Sequence, residues 1–264
     1  MSHSLQYRPV LIDELISVER IRSYEVVFHP ADDAELMGVY LWNAHVCGAL
    51  YPLISAVEVS LRNAIDHALM AELGEFWWVG NRLRYRSFGS GNPPPQAMQV
   101  IRANFTKATN SYIIDQRRRH KRRGRVEPLH NDVIGKTEFS TWQFMLDAEF
   151  LGRGLIWPKL LSIVFRGPWP TRQASVLLTR VRGLVFMLRE FRNRLFHNEP
   201  AWKGYGVKSE ADALAHLQEQ IRKVEGLLAL IHPECLRLLR LSGLLRAAQR
   251  ACTQGAIRRF QRRL

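Results

Sequence analysis

The sequence predicts an all-α protein. Hydrophobic residues make up 47% of the 264 residues, which is ample for a packed core. Apolar residues recur every three or four positions along most of the chain, and no stretch alternates between apolar and polar residues as strands do. We therefore expect a single helical domain over residues 1–264, with a basic, loose insertion at 81–135 and a basic C-terminal segment at 233–264.

The first quarter of the chain predicts helices separated by proline and glycine. Residues 9–28 contain a short helical pattern that His29-Pro30 interrupts. A second helix, capped by Asp32 or Asp33, is expected to run to Gly48, and Tyr51-Pro52 restarts or kinks it. The next helix, 53–73, carries the clearest apolar stripe, formed by Leu53, Val57, Leu61, Ile65 and Leu69.

A polar line runs beside that stripe. Glu58, Arg62 and Asp66 recur every four residues, and Glu58 stands N-terminal to Arg62 in the orientation that favours an ion pair. A structural ion pair is one interpretation, and the other is that Arg62 or Asn63 reaches a ligand.

The insertion combines a loop with a dense run of cations. Residues 89–95 are rich in glycine and proline, and a helix is expected from about Gln96 to Gln116. The cationic run that follows repels itself, so we expect it to be exposed and mobile unless an anion neutralises it. A solvated basic loop is the alternative to RNA binding by these residues, which are Arg117, Arg118, Arg119, Lys121, Arg122, Arg123 and Arg125.

The second half predicts further helices. They are expected to begin near Glu138 and to cover 159–165, 172–197 and 209–231. The tail, 233–264, predicts a basic amphipathic helix interrupted near Gly255, which could lie on nucleic acid, on a membrane surface or on the domain itself.

Charge and cysteine content bear on partners and compartment. A formal charge of +14 and a pI of about 10.3 indicate a polyanionic partner. The three cysteines show no paired spacing, and neither a signal peptide nor a run of about 18 apolar residues is present. We expect a cytoplasmic protein without a membrane span.

One apolar helix carries an unusual polar insertion. The apolar segment 188–200 is interrupted by Arg192, Asn193 and His197, and it ends with Pro200. At 100° per residue, Asn193 and His197 share a face, whereas Arg192 and His197 point about 140° apart. A second copy of this helix, or a bend at its end, would bring an arginine and a histidine together.

These residue types suit cleavage of a phosphodiester in RNA. A histidine can take the proton from the 2′-hydroxyl or give one to the leaving 5′-oxygen, and an arginine stabilises the charge on the pentacovalent phosphate. The asparagine can orient the histidine or a phosphate oxygen. No HExxH motif, zinc spacing or phosphate-binding loop is present, so the sequence predicts no metal and no cofactor.

Three blocks of sequence resemble the Abi-like (abortive-infection) proteins of bacterial antiphage defence, which belong to the HEPN superfamily. The first block is 57–65, with Glu58, Arg62 and Asn63, and the second is 138–144 followed by 155–158. The third block begins at Arg189 and contains Arg192-Asn193, His197, Glu199-Pro200 and Trp202.

The resemblance implies an all-helical HEPN-like bundle that cleaves RNA without metal through Arg192, Asn193 and His197. It also implies a composite site in a homodimer, and regulation by an antitoxin protein or a small RNA. Family members often carry a second histidine where this chain has Asn198. Because some HEPN domains only bind RNA, a non-catalytic protein that holds a structured small RNA is the alternative.

Overall fold

The all-α prediction is confirmed. The computed structural model describes residues 5–89, 91, 93–120 and 124–262, and these contain helices and no strand beyond the isolated bridge between Leu151 and Trp157. A π-helix, Tyr7–Ile16, and a 3₁₀ turn, Ala148–Phe150, accompany the α-helices. The α-helices are α1 Val18–Phe28, α2 Asp33–Leu73, α3 Gln96–His120, α4 His130–Gly135, α5 Phe139–Phe144, α6 Ile156–Lys159, α7 Leu161–Val164, α8 Ala174–Phe196, α9 Glu210–Ile231, α10 Pro233–Leu241, α11 Leu244–Ala251 and α12 Gln254–Gln261.

The chain divides into two compact units. The terminal unit comprises Met1–Ser55, Glu190–Glu225 and Arg237–Leu264, and the middle unit comprises Ala56–Arg189 and Gly226–Leu236. Arg192, Asn193 and His197 therefore belong to the terminal unit, and the basic insertion belongs to the middle unit.

Aromatic side chains form the core of the terminal unit. Trp202 is buried, and its ring meets Tyr24 and Phe28 edge to face at centroid distances of 5.1 and 5.0 Å. Such edge-to-face contacts add to the free energy of burying apolar area. Trp42, also buried, donates its indole N–H to the carbonyl of Ala251 at 2.9 Å, which ties the first half of α2 to the C-terminal segment.

The middle unit contains a buried polar group. Asp66 accepts a hydrogen bond from the Trp77 indole at 2.8 Å, and its carboxylate lies 3.0 Å from Nε2 of His130. The other ring nitrogen of His130 accepts the Phe76 N–H at 3.1 Å. Because every polar atom of this group has a partner, its burial is compatible with a stable core. Asp66, the last residue of the polar line predicted from the sequence, therefore has a structural role.

Helix α2 is longer than the sequence predicts. It runs unbroken through Gly48, where an end was expected, and through Pro52, where the helix does not restart; a kink at Pro52 stays a prediction. Leu50 and Leu53, on either side of Pro52, are buried. Packing of the flanking turns offsets the backbone hydrogen bond that the proline removes.

The basic tail is interrupted near Gly255, as expected, and also at Gly243, so that it forms three short helices rather than two. The first break is at Gly243, whose φ of +77° ends the hydrogen-bond ladder of α10. The second break is at Thr253, whose hydroxyl caps α12 by accepting the Ala256 N–H. Gly255 lies inside the first turn of α12, where a glycine is tolerated.

Helix α2 is long and apolar enough to cross a membrane by length and composition. Core helices of globular proteins pass the same test, and α2 also carries Glu58, Arg62 and Asp66. The finding is compatible with the expected absence of a membrane span.

Candidate active site at the end of helix α8

A tight turn ends α8 next to the predicted catalytic residues. Asn198 has a φ of +52°, and its N–H donates to the carbonyl of Leu195 at 3.3 Å. The N–H of Glu199 donates to the carbonyl of Arg194 at 2.9 Å. This pair of bonds is the Schellman motif, in which a residue in the left-handed region satisfies the last carbonyls of a helix. Asparagine tolerates that conformation better than other non-glycine residues.

The turn, rather than Pro200, ends the helix. The helix expected at 172–197 stops at Phe196, within one residue of its expected end and before the proline. His197 is the last residue whose N–H, bonded to the Asn193 carbonyl at 3.0 Å, continues the helical pattern. Its position is thus fixed by the backbone on both sides.

Arg192 is held against a ring one turn further along α8. Its guanidinium carbon lies 4.1 Å from the centre of the Phe196 ring, which is a cation–π arrangement. One guanidinium nitrogen also lies 3.5 Å from Oδ1 of Asn193. Phe196 in turn packs on Tyr51 with 5.2 Å between ring centroids. Arg192 and Asn193 are half-buried, so the guanidinium is restrained yet accessible.

His197 is exposed at the end of the same helix. Its backbone carbonyl and that of Asn198 accept hydrogen bonds from the Arg20 guanidinium, which projects from α1. This contact holds the turn from outside α8 while leaving the imidazole in solvent. The structure therefore brings Arg192 to Asn193 and places the His197 side chain at the surface.

The predicted supporting residues lie in the middle unit. Arg62 donates to Oδ1 of its neighbour Asn63 at 3.2 Å, whereas the ion pair between Glu58 and Arg62 stays a prediction. Arg189 lies over the Phe186 ring at 5.5 Å. Asn63 also lines a cavity of about 450 Å³, so the interpretation that Asn63 reaches a ligand stays open.

The predicted RNA-binding arginines are exposed where the structure describes them. Arg117, Arg118 and Arg119 occupy the last turn of α3, which extends beyond the predicted end at Gln116, and Arg125 follows in an irregular segment. The ion pair with Lys136, and then the nearby arginines, lower the pKa of Asp115 on the same helix. Lys121, Arg122 and Arg123 lie outside the described residues.

Two residues of the site are missing from the sequence-based prediction. Phe196 could have been found, because it lies four residues after Arg192 and so shares its helix face. Arg20 could not have been found, because 177 residues separate it from His197 and no local pattern links the two.

Potential metal ligands are scattered over the described part of the chain. Within residues 5–89, 91, 93–120 and 124–262, no group of three or more histidine, cysteine, aspartate or glutamate side chains could hold a metal ion. Comparisons of the chain with protein-family models, with curated proteins and with solved structures found no match.

Proposed function

We propose that the protein is a metal-independent endoribonuclease of the HEPN type, acting through Arg192, Asn193 and His197. The observation that carries the proposal is the end of α8, where a restrained guanidinium, that of Arg192, and an exposed imidazole, that of His197, lie five residues apart on a fixed backbone. The resemblance of the three sequence blocks supports a role in bacterial abortive infection or in a toxin-type system.

The reaction needs only groups of this kind. The 2′-oxygen of RNA attacks the adjacent phosphorus, the bond between phosphorus and the 5′-oxygen breaks, and the products end in a 2′,3′-cyclic phosphate and a 5′-hydroxyl. His197 transfers a proton, either from the 2′-hydroxyl or to the leaving oxygen. Arg192 donates to the phosphate oxygens, on which negative charge builds up. Asn193 holds the guanidinium or a phosphate oxygen.

One copy of the chain supplies one such histidine, which supports a composite site in a homodimer. The angle of about 140° between Arg192 and His197 on a straight helix also supports a composite site. If each site takes its arginine from one copy and its histidine from the other, mixed dimers of Arg192→Ala and His197→Ala contain one intact site. An equimolar mixture should then recover about a quarter of wild-type activity. No recovery, despite exchange of subunits, would place the site within one copy.

A non-catalytic RNA-binding function is favoured by a separate observation, the exposed cations at the end of α3 together with the charge of +14. The two functions are separated by measuring binding and cleavage of the same RNA side by side. The nuclease proposal predicts that His197→Ala binds like the wild type and does not cut. His45→Ala, another exposed histidine of the terminal unit, is the matched control and should cut normally. A wild-type protein that binds but never cuts would establish the non-catalytic function.

A further inference from the structure

A second concave site lies in the middle unit and is lined by four cations. Its volume is about 440 Å³, within the range of small-molecule sites. The cations are Arg82, Arg84, Arg153 and Lys159, and the lining contains a single carboxylate, that of Glu72. Nothing in the ribonuclease proposal uses this cavity.

Alternating burial places two of the arginines on one side of their segment. Leu83 and Tyr85 are buried, and the arginines between and beside them are exposed. Because Leu83 and Tyr85 are anchored in the core, the exposed Arg82 and Arg84 both face away from it. The cavity wall is therefore fixed by the core beneath it.

Arg86 joins this segment to the loop that carries the third arginine. Its N–H donates to the carbonyl of Glu149 and its Nε to the carbonyl of Leu151, both at 2.8 Å. The loop then turns back, since the N–H of Gly152 donates to the carbonyl of Trp157 at 2.9 Å. These bonds bring Arg153 into the lining beside Arg84.

The charge of the cavity is only partly compensated. Lys159 forms an ion pair with Glu72. Arg82 donates to the neutral carbonyl of Glu75 at 2.7 Å, and Arg84 lies 5.7 Å from the Phe88 ring, so neither contact removes a positive charge. Among the described residues, no carboxylate forms an ion pair with Arg153. Three guanidinium groups line one cavity whose single carboxylate, Glu72, is already paired with Lys159, and this favours an anion with several acceptor oxygens.

The rest of the lining indicates what is attached to that anion. Leu73, Leu155, Ile156 and Pro158 form an apolar wall beside the cations. A bare inorganic ion would leave this apolar wall exposed to solvent, whereas a nucleotide presents a flat apolar base next to its phosphate. We infer that this cavity binds the terminal phosphate of a nucleotide, with the base against the apolar wall.

Such a phosphate has two sources, a free nucleotide and the 5′ end of an RNA. The probe is a short, fluorescent 2′-O-methyl oligonucleotide with either a 5′-phosphate or a 5′-hydroxyl. It lacks the attacking 2′-hydroxyl, so failure of the nuclease proposal does not affect the assay. Fluorescence anisotropy should show tighter binding of the phosphorylated probe by about tenfold or more, since the 5′-hydroxyl probe cannot form the charge-assisted hydrogen bonds to the phosphate. Competition with adenosine 5′-monophosphate identifies the source: displacement shows that a free nucleotide suffices, and no displacement shows that an RNA end is required.

The combined change Arg84→Gln and Arg153→Gln should abolish the preference for the 5′-phosphate. Arg172→Gln with Arg180→Gln removes the same charge from exposed positions of the same unit and should keep the preference. Should the first double variant not fold, Arg153→Gln alone, on an exposed loop, should weaken the preference. A wild-type protein without any preference for the 5′-phosphate, or a preference that survives loss of Arg84 and Arg153, would overturn the inference.

Discussion

The guanidinium of Arg192 lies 4.1 Å from the centre of the Phe196 ring, one turn further along α8. An exposed contact of this kind contributes about 0.5–1 kcal/mol. Phe196→Leu keeps an apolar side chain but removes the ring face, so we expect RNA cleavage to slow by roughly two- to fivefold with little change in binding. Single-turnover rates measure the effect. Val176→Leu, an exposed position near the start of α8, is the control, and equal rates for both variants and the wild type would contradict a positioning role for Phe196.

Asn198 should tolerate glycine but not a β-branched residue. Its φ of +52° lies in the left-handed region, which costs most L-residues about 1–2 kcal/mol. We therefore expect Asn198→Val to lower the free energy of unfolding by about that amount. Asn198→Gly should change it by a few tenths of a kcal/mol, because glycine is common at this position of a helix end. Urea unfolding of both variants measures this free energy. Similar decreases in the free energy of unfolding for the two variants would contradict the role assigned to the turn.

His216 should make the protein less stable in mild acid. Burial, assisted by Lys223 and Arg194, lowers the pKa of this histidine below its ordinary value. The unfolded chain then binds the proton more readily than the folded one, so stability is fully present above the unfolded pKa of about 6.5 and falls as the pH drops below it. The melting temperature of His216→Gln should fall less between neutral and mildly acidic pH than that of the wild type.

The exposed His45 provides the comparison for that experiment. The melting temperature of His45→Gln should fall on acidification as that of the wild type does. If His216→Gln and His45→Gln behave alike, the burial of His216 does not govern acid stability.

The arginines at the end of α3 should contribute to the salt dependence of RNA binding. Neutralising Arg117, Arg118, Arg119 and Arg125 with glutamine should flatten the slope of log affinity against log salt by about 0.7 for each phosphate that the protein no longer neutralises. The control is Arg172→Gln with Arg180→Gln, and the change in slope is compared between the two variants after division by the number of charges removed. An unchanged slope after the fourfold substitution would show that these residues do not contact RNA.

Periodicity predicted much of the helical core. The stripe Leu53, Val57, Leu61, Ile65 and Leu69 is completely buried, and the helices expected at 172–197 and 209–231 lie within one or two residues of α8 and α9. Apolar spacing carries this information because one face of each helix must leave water.

Features that depend on distant residues or on single turns were not predictable in this way. The left-handed turn at Asn198, the contact of Arg20 with the end of α8 and the convergence of Arg84 with Arg153 leave no local periodic signal. The break in the tail at Gly243 was missed for a related reason: Gly243 and Gly255 are the same residue type, and only the backbone geometry shows that Gly243 has a positive φ and ends a helix.

The central claim, that Arg192 and His197 drive cleavage by the 2′-hydroxyl, is tested most directly by the chemistry of the cut ends. A defined RNA is incubated with the protein in EDTA, and the product termini are identified by mass. The account predicts 2′,3′-cyclic phosphate and 5′-hydroxyl ends from the wild type and from His45→Ala, and uncut RNA from Arg192→Ala and from His197→Ala. Cleavage that persists in either of the last two variants, or products ending in a 3′-hydroxyl and a 5′-phosphate, would contradict it.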